Sequence, residues 1–126
     1  MSQRDKMNVF YDTYAIMSLI EGNENYNKYK NNIIITSILN LAELYNIFLR
    51  SHGKQTADYW ARKLNFNFIG LDKDSIIKAV EFRFIHRKED LSLADCVGYI
   101  LALKNNMKFL TGDSKFKDMK NVDFVK

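Results

Sequence analysis

Four carboxylates in this chain stand where short apolar runs end or helical patterns begin: Asp12, Glu43, Asp95 and Asp113. Asp12 closes the run Met7-Asn8-Val9-Phe10-Tyr11, and Asp113 follows Leu110-Thr111-Gly112. Glu43 lies about two turns into the helical stretch behind Ile33-Ile34-Ile35-Thr36, and Asp95 lies three residues after Ser92. Carboxylates gathered in one place repel, and they cannot all stay ionised at neutral pH unless a cation neutralises them. Hard oxygen donors select Mg²⁺ or Mn²⁺. A divalent ion held in this way can activate water and stabilise the charge developing on a phosphodiester during in-line displacement. The question is whether the fold brings the four together.

The elements that must do so can be read from periodicity. Residues 7–11 form a short apolar run, consistent with a buried parallel strand. Tyr14, Ile16, Met17 and Ile20 mark a helix ended by Gly22. After a polar Asn/Tyr/Lys segment, residues 33–36 are the clearest buried strand. Ser37 is expected as an N-cap. The helix behind it carries Ile38, Leu41, Ala42, Tyr45, Phe48 and Leu49 at three- and four-residue intervals, and Gly53 closes it. Further helices are expected over 54–64, from a cap at Asp74 bearing Ile76, Ile77, Val80 and Phe84, and from Ser92 to Asn105. Strands are expected at 66–70, 107–110 and 122–125.

Strands alternating with helices imply an α/β fold: a central parallel sheet of four to five strands with helices on both faces. Ligands in such sheets bind beyond the carboxyl ends of the strands, near the switch in strand order. Asp12 and Asp113 are placed there directly. If the first, second and fourth strands are neighbours, Glu43 and Asp95 can reach the same rim.

Each acid also has a plainer explanation. Asp12 can serve only as the cap of the helix beginning at Thr13. Asp95 fits a capping box with Ser92, and Asp113 after Gly112 fits a turn. Glu43 is the most informative. It points away from the Ile38/Leu41/Tyr45/Phe48 stripe, which suits a solvated face. Yet Leu39 and Ile47 flank it four residues to either side, and no basic residue lies three or four positions away. A carboxylate on a partly apolar face needs a partner.

These segments resemble, in order and spacing, the motifs of the PIN domain family: strand-Asp12-Thr13, Leu41-Ala42-Glu43-Leu44, Leu91-Ser92-Leu93-Ala94-Asp95-Cys96 and Leu110-Thr111-Gly112-Asp113. The subgroup they look most like is the VapC-type toxins of type II toxin–antitoxin pairs, and the resemblance runs from residue 7 to 126. It implies an endoribonuclease dependent on Mg²⁺ or Mn²⁺, leaving a 5′-phosphate and a 3′-hydroxyl, usually a homodimer, and held inactive by a small antitoxin. It also implies that Asp12, Glu43, Asp95 and Asp113 bind metal, directly or through water, with Thr111 in support. One departure concerns the second metal. Many relatives have an acid two residues after the one matching Asp113, where this chain has Lys115. One ion is therefore expected, and a second is in doubt.

Composition agrees with one such domain. The chain has 126 residues, 47% of them apolar or aromatic, with no proline and five glycines. That is enough to bury a core. Residues 1–6 are expected to form a disordered lead and 7–126 the domain. The single cysteine, Cys96, excludes an intramolecular disulfide, which suits a reducing, cytoplasmic location. No run approaches the roughly 20 apolar residues that span a bilayer. A net charge of +4 is compatible with a polyanionic partner without demanding one. Lys115, Lys117 and Lys120 can touch RNA phosphates. Arg83, His86, Arg87 and Lys88 suit the end of a helix, where cations complement its dipole. His52 and His86 lack metal-ligand spacing. Two rivals are set beside the nuclease. One is a PIN-fold module that binds RNA or protein without catalysis. The other is a receiver-type domain using Asp72 as phosphoacceptor, although Tyr11 stands where such a domain needs an acid beside Asp12.

Overall fold

Strand β1, Val9–Tyr11, sends alternate side chains to opposite faces, and that alternation divides the molecule into layers. In the computed structural model, which describes residues 9–126, Val9 and Tyr11 join one buried cluster while Phe10 joins another. Strand β4, Lys108–Thr111, repeats the split, with Leu110 in the first cluster and Phe109 in the second. The first core is closed by α1 (Thr13–Ile20), α2 (Ile38–His52) and α3 (Lys54–Lys63), which contribute Ile16, Leu44, Phe48 and Ala57. The second is closed by α4 (Lys73–Ile85) and α5 (Leu93–Lys104), through Ala79, Val97, Leu101 and Ala102. Two cores on either side of one layer of strands give the expected three-layer α/β arrangement.

The remaining strands are β2 (Ile34–Thr36), β3 (Phe66–Phe68) and β5 (Val122–Phe124). Every ladder is parallel: β1 pairs with β4, β4 with β5, and β2 with β3. The five strands form a three-stranded sheet, β1-β4-β5, and a two-stranded one, β2-β3, in place of one continuous sheet. The two are joined by a side chain: the Thr36 hydroxyl donates to the Tyr11 carbonyl at 2.7 Å. The carboxyl ends of β1 and β4 share one rim, where Asp12 N–H continues the ladder to Leu110 O at 3.0 Å.

Several boundaries differ from the sequence reading. Asp72, not Asp74, caps α4 by accepting from Ser75 N–H. The polar segment before β2 contains a 3₁₀ helix, Glu24–Tyr29, that buries Tyr26 and Tyr29 in the first core. The largest difference is in α2. Its buried line is Asn40, Leu44 and Phe48, whereas Ile38 and Leu49 are exposed at 53% and 41%. Residues 1–6, and residues 7–8 of the expected first strand, lie outside the described residues.

Two glycines permit close approach. A Cβ on Gly98 of α5 would meet the Phe10 ring at 2.8 Å, so the helix lies directly on the sheet there. A Cβ on Gly112 would meet the Tyr14 ring at 2.3 Å and the Val125 carbonyl at 2.4 Å. No side chain fits at that turn between Thr111 and Asp113.

Candidate active site

The end of β1 delivers Asp12 into the interior, 1% exposed. It occupies the N-cap position of α1, yet its side chain makes no capping hydrogen bond, so capping does not account for it. One oxygen, Oδ2, accepts from the Thr111 hydroxyl at 2.8 Å. The other, Oδ1, is buried without a hydrogen-bond partner. An unpartnered carboxylate oxygen in the interior is costly and calls for an explanation. Burial raises the Asp12 pKa well above the ordinary carboxylate range. The nearby Asp95 raises it further, the Thr111 hydroxyl and the Thr13 backbone N–H oppose the rise, and Glu43 adds to it.

Thr111, fully buried at the end of β4, joins two of the acids. Its hydroxyl oxygen donates to Asp12 and accepts from the Asp113 N–H at 3.1 Å. Asp113 in turn accepts from Lys115 N–H through Oδ1, which is the turn role expected of it. Asp95 sits in the first turn of α5 and closes a complete capping box: Ser92 Oγ accepts from Asp95 N–H and Asp95 Oδ2 accepts from Ser92 N–H, both at 3.0 Å. The cap and the cluster are not exclusive. The Asp95 pKa is raised, chiefly by burial, with Glu43 and Asp113 adding to the rise against the Ser92 bonds.

The four acids therefore act on one another: Asp12 feels Asp95 and Glu43, and Asp95 feels Glu43 and Asp113. They do not stand in a finished coordination sphere. Among the described residues no three acidic, histidine or cysteine side chains are arranged to hold a metal ion as they are. What fits a hard cation is the donor set, all carboxylate oxygens, together with the unpartnered Oδ1 of Asp12. Glu43 is half-buried on α2, beside the true buried line of that helix, and its long side chain is the member best able to move.

A polar network beside Asp12 escaped the sequence reading. Asn40 is fully buried; it accepts from the Ser37 hydroxyl at 2.7 Å and donates through Nδ2 to Thr13 Oγ1 at 3.1 Å. It ties the start of α2 to the residue following Asp12. The signal was present, since Asn40 stands four residues before Leu44 and eight before Phe48 on one helical line.

Other candidates have ordinary roles. Cys96 is buried and its thiol is pushed up to about 12 by burial. Asp72 accepts from Ser75 N–H and pairs with Lys104, whose ammonium holds it below the usual carboxylate range. Lys115, Lys117 and Lys120 are exposed. Among the described residues no helix is long and apolar enough to cross a membrane.

The structure is thus of the α/β class, a parallel sheet with interacting acids at its carboxyl rim. The chain belongs to the PIN domain family, whose model matches residues 9–122. Among solved structures it is similar to Mycobacterium tuberculosis VapC20, described as a sarcin-ricin loop cleaving toxin. The identity is 18% and the TM-score 0.73, over 94% of this chain and 99% of that one. A toxin–antitoxin complex from Klebsiella pneumoniae is also similar, at 17% identity and TM-score 0.64, over 91% and 95% of the two chains. A comparison with curated protein sequences finds no match.

Proposed function

We propose that the chain is a divalent-metal-dependent endoribonuclease and the toxin of a toxin–antitoxin pair. Asp12 carries the reading: a buried carboxylate with one oxygen unpartnered, in the field of Asp95 and Glu43, is stable as an anion only beside a cation. Asp12, Glu43, Asp95 and Asp113 would hold Mg²⁺ or Mn²⁺, which when bound supplies water activation and charge stabilisation at the phosphodiester. The chain's own residues supply position. Thr111 fixes Asp12 through one oxygen and leaves the other free, while its bond from Asp113 N–H sets the register of the β4 turn. Ser92 orients Asp95, and Lys115, Lys117 and Lys120 face the approaching polyanion. With the toxin reading go a homodimer, a small antitoxin partner and a cytoplasmic location, which we propose with it. One ion suffices for this donor set, with Lys115 standing where a further acid would be.

The test is cleavage of structured RNA by the purified chain with Mn²⁺ and with EDTA. Asp12→Asn and Asp95→Asn should lose activity, and retention in either ends the assignment. Thr111→Val should lower activity by about 10- to 100-fold, as expected for removal of a group that orients a ligand.

The open spacing of the acids favours a second reading, a PIN-fold module that binds RNA or protein without catalysis. Calorimetric titration with Mn²⁺ separates the two: no heat of binding at the acid cluster supports the module.

A further inference from the structure

The basic group at the end of α4 borders a cleft of about 400 Å³ that the proposed hydrolysis does not use. Its walls include Arg83, Phe84, Arg87 and Leu93, and one acid, Asp90. Phe84 is 66% exposed, and the Arg87 guanidinium lies 4.4 Å from the centre of its ring. The cations here are held by backbone rather than by acids. Arg83 Nε donates to Leu91 O at 2.8 Å, an Arg87 guanidinium nitrogen donates to Phe84 O at 2.8 Å, and Lys115 Nζ donates to Asp90 O at 3.1 Å. Among the described residues the three ion pairs involve other lysines, so Arg83, Arg87 and Lys115 have no carboxylate partner.

The cleft also shares a wall with the acid rim. Leu91 and Leu93, which line it, flank Ser92, and Ser92 is bonded to Asp95 in both directions. Lys115, whose ammonium reaches the carbonyl of the lining residue Asp90, is bonded through its backbone N–H to Asp113.

We propose that this cleft is a subsite for one unpaired nucleotide of the RNA strand, close to the phosphate to be cut. Its base stacks on the Phe84–Arg87 pair and its phosphate lies toward Arg83. The proposal rests on the nuclease reading for its neighbour but not for its own chemistry. Aromatic rings and guanidinium planes offer a π-face that any base can cover. Pre-ordered cations lacking acidic partners suit a polyanion. An apolar protein face would have to bury those same cations unpaired, which is unfavourable.

The experiment is fluorescence anisotropy of a labelled, mixed-sequence, single-stranded RNA ten-mer with the full chain, in EDTA and low salt. A matching strand with abasic sites throughout is measured in parallel. Phe84→Ala should weaken RNA binding about 5- to 150-fold, the range for loss of one base stack. Phe84→Trp should bind as the native chain does, and Arg87→Ala should bind more weakly. The abasic strand should not distinguish Phe84→Ala from native. No binding by the native chain, equal affinity of Phe84→Ala and native for RNA, or an equal loss with the abasic strand overturns the subsite. So does a change in sedimentation on Phe84→Ala with RNA affinity unaltered, which marks a protein interface instead. The nuclease reading fails separately: if the native chain binds the ten-mer through Phe84 yet never cuts RNA with Mn²⁺, the subsite stands and the hydrolysis does not.

Discussion

At the scale of single residues, Asp12 combines two facts that ordinarily exclude each other: nearly complete burial and an unpartnered acceptor oxygen. Their consequence can be read from pH. In the folded chain the pKa values of Asp12 and Asp95 are raised, both chiefly by burial. In the unfolded chain they return to about 3.9. Between that value and the raised folded values the native state binds more protons than the unfolded one, so stability falls as pH rises across the window. In EDTA the midpoint of thermal unfolding should therefore fall as pH rises from about 4 toward neutrality. Asp12→Asn should flatten that dependence and raise the pH 7.5 midpoint by a few degrees. About 1 kcal/mol moves a domain of this size by roughly 3–6 °C. Calorimetry in EDTA checks both, and an unchanged slope in Asp12→Asn would mean that Asp12 does not carry the penalty. Adding Mn²⁺ should stabilise the native chain more than the variant, because only the folded state offers the cluster.

At the scale of elements, the turn after β4 depends on a glycine. A Cβ on residue 112 would stand 2.4 Å from the backbone carbonyl of Val125, and that carbonyl, which accepts from the Tyr26 hydroxyl, cannot swing aside as a flexible side chain would. Gly112→Ala should cost about 1–3 kcal/mol, the usual range for overpacking. It should also depress cleavage beyond what the stability loss explains, because it pushes Thr111 and Asp113 apart. Denaturant unfolding and activity on the same preparation separate the two effects. The helices show how far periodicity alone could be trusted. Short apolar runs ending in Asp12 and Thr111 placed the rim correctly, because parallel strands buried on both faces leave an unmistakable pattern. In α2 the same logic was right for Phe48, which is buried, and for Tyr45, which packs on the first core, but wrong at the edges of the stripe. Ile38 and Leu49 are exposed while Asn40 is fully buried, since Asn40 finds partners in Ser37 and Thr13 that no local pattern reveals. The true buried line, Asn40-Leu44-Phe48, sits closer to Glu43 than the presumed one, which is why Glu43 is half-buried. The cap at Asp72 was displaced by two residues for a related reason. Asp72 pairs with Lys104, thirty-two positions away, and that pairing is invisible until the chain is folded.

At the scale of the whole molecule, the three layers were legible and the break between β1 and β2 was not, because a single threonine hydroxyl bridges it. The charge distribution also becomes meaningful only at this scale. A net charge of +4 is modest, yet four acids act on one another while Arg83 and Lys115 are bonded to Leu91 and Asp90, just before the Ser92 that caps with Asp95. Such an arrangement attracts a polyanion to the border of a negative pocket rather than to the surface at large. Counterion release makes this quantitative. If Arg83, Arg87, Lys115, Lys117 and Lys120 each neutralise one phosphate of a single strand, the plot of log affinity against log salt should have a slope of about −3.5. Each alanine replacement should reduce its magnitude by about 0.7. Lys54, whose ammonium is already paired with Asp58 on α3, should leave the slope unchanged when replaced. Anisotropy titrations over a range of salt concentrations decide the matter. A slope near zero, or one that responds to Lys54→Ala as strongly as to Lys115→Ala, would mean that RNA does not approach the acid rim across these cations. The strand would then need another path to Asp12.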